Sequence, residues 1–300
     1  MSVLAIVHPS KRLHPLWLDV KERLEQWMRV DEHCSQWAGH STELARELSP
    51  QEGVVVVVGG DGTFHEVING WMSRSQRGRP GFLLVPLGTG NDFARDQKLS
   101  RDACRIAGAA RNPRLKSLDL GHLHYQGSSG EESRYFLNAA TLGFSAETTR
   151  LAQSLPRFFP GTVQYLFSLL VSLIRWENRS ARLTVDHESF VLPNLFNLNI
   201  ANTRFYGGGM YASPRACPQS GTLETVVMEL NRWGVLKALP RNYNGKFDGV
   251  EGVRQLSVRE KLCLLDPGIP VQADGEFLGE TPVEASVVKD AFSIVMTGEG

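Results

Sequence analysis

The sequence has no excess of either charge, since 32 Lys and Arg residues balance 32 Asp and Glu residues. Binding nucleic acid through the overall electrostatic field requires a basic excess, so we expect no nucleic-acid partner.

Cysteine is scarce, with four residues and no C-x-x-C pair, which is typical of a reduced cytosolic protein whose thiols are small core residues. We expect a cytoplasmic location. The histidines lack metal-ligand spacing except at His122-x-His124, where half-exposed strand positions are expected and a metal site is the alternative.

No apolar run is long enough to cross a bilayer. The best candidate, Thr162–Trp176, falls about five residues short of a span and is interrupted by Gln164, Ser168 and Ser172. We expect a buried helix here, with a lipid-facing helix at a membrane interface as the alternative. The N-terminus leads directly into the strand pattern Val3–Val7 and lacks the basic-then-apolar pattern of a signal peptide.

The most informative stretch is VVVVVGGDGT, from Val54 to Thr63. Its five valines predict a strand buried on both faces, as in a parallel sheet covered by helices. A strand, a glycine turn and a helix N-terminus form an anion site, because backbone N–H groups and the positive end of the helix dipole face the loop. We expect nucleotide phosphate here, and Asp61 offers a carboxylate for a metal or a hydroxyl proton. The amphipathic helix that follows has its apolar stripe at Phe64, Val67, Ile68, Trp71 and Met72.

A second glycine loop, PLGTGNDFAR, follows the predicted strand Phe82–Pro86. Gly88 and Gly90 free the backbone, Thr89 offers a hydroxyl, and Asn91 is able to cap the next segment. An ordinary loop and helix cap is the alternative interpretation. Two glycine loops on successive strands of one sheet favour a binding site over that alternative.

The chain divides into two regions by the rhythm of its elements. Strands and helices alternate over residues 1–121, which predicts a doubly wound parallel sheet, an α/β nucleotide-binding domain. Residues 122–289 are predicted to form a β-rich domain, a mostly antiparallel β-sandwich. A last strand is predicted within 290–300, and pairing with the sheet of the first domain is one alternative for it. Turns are predicted at Asn244-Gly245, Asp248-Gly249 and Asp274-Gly275. The predicted strands of the second region are His122–Tyr125, Tyr135–Ala140, Ala181–Val185, Leu195–Ala201, Thr222–Glu229, Ser257–Leu264 and Val283–Val288.

These motifs resemble the catalytic domain shared by diacylglycerol, sphingosine and ceramide kinases, and most closely the YegS-like branch of soluble bacterial lipid kinases. GGDGT is followed by Glu66 and Asn69-Gly70, and then by PLGTGNDFAR. The similarity runs in order along essentially the whole chain. Further matching positions are Tyr135–Asn138, Gly143-Phe144, Gly161, Tyr165, Asn202, Gly207–Gly209, Pro214–Ala216 and Asp274–Glu276.

The resemblance implies ATP and Mg²⁺ as cofactors. It implies Glu276 as proton acceptor, with Asp274 and Asp61 as further catalytic residues. We expect Tyr165, Phe167 and Phe205 to form an apolar lining for the acyl chains. From spacing alone, Asp274-Gly275 is an ordinary hairpin turn. The implied ATP-binding residues are Ser10, Gly59, Gly60, Asp61, Gly62, Thr63, Gly88, Thr89, Gly90 and Asn91.

The chain departs from the family at one segment. Family members carry acidic residues just before a glycine that corresponds to Gly221, and these bind a structural Mg²⁺. Here Gln219 and Ser220 are neutral and are poor partners for a hard dication. This departure puts the structural metal site in doubt.

The function indicated by the resemblance is ATP-dependent phosphorylation of a lipid hydroxyl in phospholipid biosynthesis, with diacylglycerol or a phosphatidylglycerol-like lipid as acceptor. It implies peripheral membrane association. The residues do not name the lipid, and they leave the oligomeric state open, a homodimer included. The alternatives are a non-catalytic paralogue that binds nucleotide and lipid, and an NAD kinase, which also carries GGDGT.

Overall fold

The structure, a computed structural model, describes residues 2–48, 50, 53–76, 78–127, 130–156, 161–231, 234, 245 and 250–298. The chain forms two compact units, Met1–Asp119 with Lys289–Gly300 and Leu120–Val288. The helices are α1 (Pro15–Glu25), α2 (His40–Leu48), α3 (Asp61–Met72), α4 (Asp92–Asp96), α5 (Ala103–Arg111), α6 (Phe144–Ser154) and α7 (Gly161–Arg175). The strands are β1 (Ser2–Val7), β2 (Arg29–Cys34), β3 (Val54–Gly59), β4 (Gly81–Pro86), β5 (Leu115–Gly127), β6 (Gly130–Phe136), β7 (Ala139–Gly143), β8 (Arg179–Val185), β9 (Glu188–Leu195), β10 (Asn197–Ala201), β11 (Leu223–Met228), β12 (Val253–Val258), β13 (Lys261–Leu264), β14 (Pro270–Ala273) and β15 (Glu276–Val295).

The first unit is built on a parallel sheet in the order β2-β1-β3-β4, and the end of β15 adds a parallel strand beside β4 at Ser293 and Ile294. Strand β3 is fully buried from Val55 onward, as its run of valines predicts. One face of the sheet packs against α1 and α5 through Trp17 and Ile106. The predicted apolar stripe of α3 is buried, and Phe64 packs against three rings, those of Phe82, Phe93 and Phe292.

The second unit is antiparallel. Its strand order is β12-β11-β10-β7-β14-β15, while β13, β8 and β9 extend from β15 and β5 pairs with β6. Buried side chains on these strands form one core, which includes Leu142, Leu198, Leu262 and Val271. The predicted fold class, a parallel α/β unit plus a β-sandwich, is confirmed.

Three strands predicted in this unit are interrupted in the structure: Tyr135–Ala140 at Leu137-Asn138, Leu195–Ala201 at Phe196, and Ser257–Leu264 at Arg259-Glu260. The strand predicted over Ser257–Leu264 is wrong, because the chain turns at Arg259 and Glu260 and forms two strands, β12 and β13. The Asp186 carboxylate fixes this turn by accepting backbone N–H groups of Arg259, Glu260 and Lys261. Apart from Gly245, the turns predicted at Asn244-Gly245 and Asp248-Gly249 lie outside the described residues.

The cysteines are not core residues, contrary to expectation. Cys104 and Cys217 are exposed, and Cys34 and Cys263 are half-buried. Cys104 lies on the solvent side of α5, whose buried face is supplied by Ala103, Ile106, Ala107 and Ala110.

Helix α7 is not buried all round, so the prediction of a buried helix is wrong for one of its faces. Leu169 and Leu173 pack against a cluster that contains Phe144, Phe196 and Met228. The opposite face is exposed to solvent. Among the described residues, no helix combines the length and the apolar character that crossing a membrane requires.

Helices α2 and α3 approach so closely that a glycine is required between them. A Cβ added at Gly70 would lie 2.1 Å from the carbonyl oxygen of Thr42. The Thr42 hydroxyl donates to the carbonyl of Glu66, and a Glu66 carboxylate oxygen accepts the N–H of Gly39 at 3.2 Å. Glu66 and Gly70 of the family motif therefore serve helix packing.

We predict that Gly70→Ala destabilises the protein, although alanine is the better helix former. The backbone clash with Thr42 is expected to lower the free energy of unfolding by about 2–4 kcal/mol. Gly108→Ala in α5 is the matched control: an added Cβ there meets nothing within 4 Å, so a gain of about 0.5–1 kcal/mol is expected. Urea unfolding measures both, and a Gly70→Ala protein as stable as Gly108→Ala would contradict the packing argument.

Candidate functional site

Two glycine loops lie side by side at the carboxyl edge of the parallel sheet. Gly59 at the end of β3 pairs with Pro86 at the end of β4, and the Leu87 N–H donates to the Gly59 carbonyl at 2.8 Å. Beyond this pair the two backbones touch at Gly60 and Gly88. A Cβ on Gly60 would lie 2.7 Å from the Gly88 Cα, and a Cβ on Gly88 would lie 2.5 Å from the Gly60 Cα. Both positions therefore require glycine.

The N-terminus of α3 opens onto this double loop. Gly60 is its N-cap residue and provides no side-chain cap. Gly62 in the first turn is exposed, and a Cβ added there would meet no atom within 4 Å, whereas Thr63 is buried beneath the loop. Open space over the positive end of a twelve-residue helix suits an anion such as phosphate.

The Asp61 carboxylate is held by backbone groups of the second loop. Its two oxygens accept the N–H groups of Asp92 and Phe93, each at 3.0 Å, and thereby cap α4. Asn91 has a left-handed backbone (φ 50°) and provides no side-chain cap for α4. Its amide instead exchanges hydrogen bonds with the backbone of Gly88, at 2.8 and 2.7 Å. Asp61 therefore has a structural role that sequence reasoning missed, and its catalytic role stays a prediction.

Ser10 lies at the same sheet edge. It belongs to a short 3₁₀ turn after β1, and β1 is the parallel neighbour of β3. Ser10 is exposed, and its hydroxyl lies 2.9 Å from the ring Nδ1 of His8. The backbone N–H of His8 donates to the carbonyl of Val58. Burial and then the charge of Lys11 lower the pKa of His8, while Glu66 opposes the shift. The fold thus brings Ser10, Gly59–Thr63 and Gly88–Asn91 to one edge of the first unit.

Asp274 and Glu276 belong to the second unit. Asp274 and Gly275 have positive φ angles of 46° and 86° and form the hairpin between β14 and β15. The Asp274 carboxylate also accepts the N–H groups of Leu137 at 2.6 Å, Asn138 at 2.9 Å and Ala139 at 3.1 Å. The hairpin alternative is therefore observed, and the side chain anchors that hairpin to the start of β7.

Glu276 is the first residue of β15 and is exposed. One of its carboxylate oxygens lies 2.9 Å from the guanidinium of Arg134 on β6. No sequence motif singled out Arg134, because it is 142 positions away from Glu276 in the chain. The ion pair fixes the direction of a carboxylate that is still reached by solvent.

The described residues contain no group of three or more His, Cys, Asp or Glu side chains arranged to hold a metal ion. Ser220 directs its hydroxyl into its own loop, where it donates to the carbonyl of Cys217 at 2.8 Å. Gln219 is exposed. Neither the chemistry nor the arrangement of this segment fits a structural Mg²⁺.

His122 and His124 lie side by side on β5, and the His122 ring contacts the rings of both His124 and Tyr135. The His122 ring stacks on Tyr135 at 4.3 Å and meets His124 edge-on at 4.4 Å. Burial, followed by the charge of His124, lowers the pKa of His122 to about 4. The ring is therefore neutral at physiological pH.

The parallel sheet with its paired glycine loops, followed by an antiparallel β-sandwich unit, defines the architectural class of this protein. Comparison with known families agrees. The family described as the diacylglycerol kinase catalytic domain matches residues 2–123, and the family described as the YegS C-terminal NAD kinase beta sandwich-like domain matches residues 138–296. The chain therefore belongs to the diacylglycerol kinase catalytic-domain family, in its YegS-like lipid kinase branch.

Individual relatives are similar over most of their length. The chain is 27% identical over 282 residues to YtlR of Bacillus subtilis (strain 168), provisionally named a lipid kinase, covering 88% of this chain and 86% of that protein. It is 29% identical over 262 residues to the diacylglycerol kinase of Mycobacterium tuberculosis (strain H37Rv), covering 86% and 81%. A Bacillus anthracis (str. Sterne) structure, provisionally named a diacylglycerol kinase, shares the fold with a TM-score of 0.75 at 20% identity, covering 98% of this chain and 97% of that one.

We predict that Asp274→Asn and Glu276→Gln differ strongly in stability. Asp274→Asn loses the charged acceptor of three backbone N–H groups, which is expected to lower the free energy of unfolding by about 2–3 kcal/mol. Glu276→Gln weakens an exposed ion pair and is expected to cost less than about 1 kcal/mol. Urea unfolding of the two variants and the wild type compares them, and equal losses would show that Asp274 is not the anchor described.

We predict that stability falls as the pH drops from 6.5 towards 4. In this range the unfolded chain protonates His122 while the folded chain does not, so proton uptake favours unfolding. Allowing for solvent screening at this half-buried ring, the loss attributable to His122 is about 1 kcal/mol. His122→Phe, which keeps the ring stack on Tyr135, should show a flatter stability profile between pH 7 and 4.5. A profile parallel to the wild type would exclude His122 as the cause.

Proposed function

We propose that this protein is a lipid kinase that transfers the γ-phosphoryl group of ATP to the hydroxyl of a lipid, diacylglycerol or a phosphatidylglycerol-like acceptor. One observation carries the proposal: the backbone contact of Gly60 and Gly88 at the N-terminus of α3, whose N-cap glycine makes no side-chain hydrogen bond, in a chain of lipid kinase ancestry. Several relatives carry lipid kinase or diacylglycerol kinase names. The lipid acceptor itself is inferred from those names.

The double glycine loop fits the phosphates of ATP. A Cβ at Gly60 or Gly88 would clash with the other loop's backbone, so the two loops come together only with glycine there, and Gly62 leaves the first turn of α3 open. Backbone N–H groups within Gly59–Thr63 and Thr89–Asn91 would hold the phosphates, and the hydroxyls of Ser10 and Thr89 would assist. The Gly88 N–H already donates to the Asn91 side chain and would shape the loop instead. Thr89 is exposed on its loop, so a ligand reaches it without rearrangement of the core.

Glu276 would accept the proton of the lipid hydroxyl. As the hydroxyl oxygen bonds to the γ-phosphorus, the bond from that phosphorus to the leaving ADP oxygen breaks, and the proton passes to the Glu276 carboxylate and then to water. Arg134 acts on Glu276 as a positioning residue through their 2.9 Å ion pair. Asp274 acts in the same sense by anchoring the turn that precedes Glu276.

ATP supplies the phosphoryl group, and we infer that Mg²⁺ accompanies its phosphates, as is usual in phosphoryl transfer. In the first unit Asp61 is the carboxylate beside the glycine loops, although its oxygens already accept two backbone N–H groups. If Asp61 is to bind the metal ion, these two hydrogen bonds would therefore have to be shared with it or broken.

A non-catalytic protein that binds nucleotide and lipid is the second candidate. The neutral Gln219 and the inward hydrogen bonds of Ser220 favour it, because these positions lack the acidic pair of the active family. The Glu276–Arg134 ion pair favours the kinase, because a protein that only binds ATP through its first unit does not need an oriented carboxylate in the second unit.

We predict that the purified protein labels diacylglycerol or phosphatidylglycerol in mixed micelles from [γ-³²P]ATP and Mg²⁺. Glu276→Gln is expected to lower the rate about 10²–10⁴-fold, the usual contribution of a general base, while ATP affinity by calorimetry stays unchanged. Glu280→Gln, an exposed carboxylate on the same strand, is the matched control and should retain the wild-type rate.

Three results would contradict the proposal. ATP binding without label in any lipid would support the non-catalytic protein. Label in NAD rather than in lipid would indicate an NAD kinase. An equal loss of rate in Glu276→Gln and Glu280→Gln would remove Glu276 from the proposed role of proton acceptor.

A further inference from the structure

One face of α7 consists entirely of exposed apolar side chains. They recur at helical spacing, so they form a continuous stripe rather than scattered positions. We call this stripe the outer face of α7. Its members and their exposed fractions are Val163 (52%), Leu166 (56%), Phe167 (53%), Leu170 (54%) and Ile174 (72%). Soluble proteins rarely leave such a stripe uncovered, and larger exposed apolar patches mark contact with a membrane or a protein.

The buried face of the same helix carries both of its serines. Ser168 and Ser172 are 0% and 2% exposed, and within the described part of the chain neither hydroxyl oxygen has a hydrogen-bond partner. Gln164, one turn earlier, donates to the carbonyl of Pro156. An unpaired buried hydroxyl is unfavourable. An amphipathic helix at a water-exposed surface normally turns its polar side chains outward and its apolar ones inward, whereas α7 buries its serines and exposes apolar side chains. The distribution suits a helix whose outer face meets an apolar medium.

We propose that the outer face of α7 is the surface by which this protein docks on a lipid bilayer. This inference rests on the proposed function, because a lipid acceptor must be taken from a membrane. At 15 residues the helix is about 22 Å long, which is shorter than the hydrocarbon core. It would therefore lie in the interface. Tyr165, 43% exposed, is an aromatic residue of the kind that favours the headgroup level.

The positive charge at the end of α7 favours an anionic lipid surface. Arg175 is the only charged residue between positions 161 and 175 and is exposed at the end of the helix. Glu177 and Arg179 follow beyond the helix and balance each other. A contact with a second copy of the chain normally adds polar rim contacts, whereas the five outer-face residues carry no polar side-chain atom. These observations favour a lipid bilayer over a second copy.

The test compares the full-length wild type with the triple variant Leu166→Gln/Leu170→Gln/Ile174→Gln in co-sedimentation with phosphatidylglycerol–phosphatidylcholine vesicles. The variant should bind at least about tenfold more weakly, since bilayer binding scales with buried apolar area. Its thermal unfolding should be unchanged, because the substituted side chains are exposed. The matched control is Leu13→Gln/Val191→Gln/Leu265→Gln, which replaces three side chains that are 80%, 68% and 64% exposed elsewhere. It should bind like the wild type.

Arg175→Gln provides an independent arm. It should weaken binding to the anionic vesicles about fivefold and leave binding to pure phosphatidylcholine vesicles unchanged. Equal binding of the outer-face variant and the wild type would overturn the proposal. So would a wild-type dimer in light scattering that the outer-face variant dissociates, with no vesicle binding, because a second copy would then cover the face.

The readouts separate this inference from the proposed kinase activity. Vesicle binding that depends on the outer face, without phosphoryl transfer, would retain the docking surface and reject the kinase. Phosphoryl transfer with vesicle binding insensitive to the outer face would retain the kinase and reject the docking surface. With a water-dispersed short-chain diacylglycerol as acceptor, the outer-face variant should keep the wild-type rate, whereas its rate on vesicle-borne acceptor should fall with its binding.

Discussion

The organisation of the first unit depends on the contact between two backbones at Gly60 and Gly88. Neither position accommodates a Cβ, so the loops after β3 and β4 approach to a distance that side chains would forbid. Once the loops touch, the Asp61 carboxylate reaches two N–H groups at the start of α4, and Asn91 closes the second loop on Gly88. The N-terminus of α3, with its open first turn, and the exposed Thr89 then lie at one edge of the sheet, where the proposed phosphate site is located.

The second unit uses a carboxylate in a comparable way. Asp274 accepts N–H groups from three consecutive residues, as Asp61 accepts two. In both cases the acid fixes backbone from a different part of the chain, and a residue one or two positions further on has a proposed role in the chemistry. That residue is Gly62 after Asp61, and Glu276 two positions after Asp274. Asp61 and Asp274, both predicted as catalytic residues, thus also anchor backbone in this fold, and their catalytic roles stay predictions. The solvent-reached carboxylate of Glu276 with its Arg134 partner is better placed to exchange a proton.

Helix α7 shows how tertiary packing overrides composition. Its sequence is apolar nearly all round, and composition alone predicts burial. The fold has room for only one of its faces, the one that brings Leu169 and Leu173 onto Phe144 and Phe196, and this choice places two serines inside and five large apolar residues outside. An energetically unfavourable arrangement in water becomes favourable if the outer face meets lipid.

The sequence by itself determined the parallel sheet, the two glycine loops and the buried stripe of α3, because each follows from a local rule: β-branched runs, glycine at close approaches, or a period of 3.6 residues. The division of the second unit into α7 and a mostly antiparallel sandwich was also predictable from turns and short strands. Only the tertiary structure decided the partners of Asp61 and Asp274, the pairing of Glu276 with Arg134, the break between β12 and β13, and the direction of the α7 faces. Asp274 and Leu137 are 137 positions apart, and Arg134 and Glu276 are 142 positions apart. Contacts over such separations leave no periodic trace in a single sequence, since they depend on how whole strands are registered against one another.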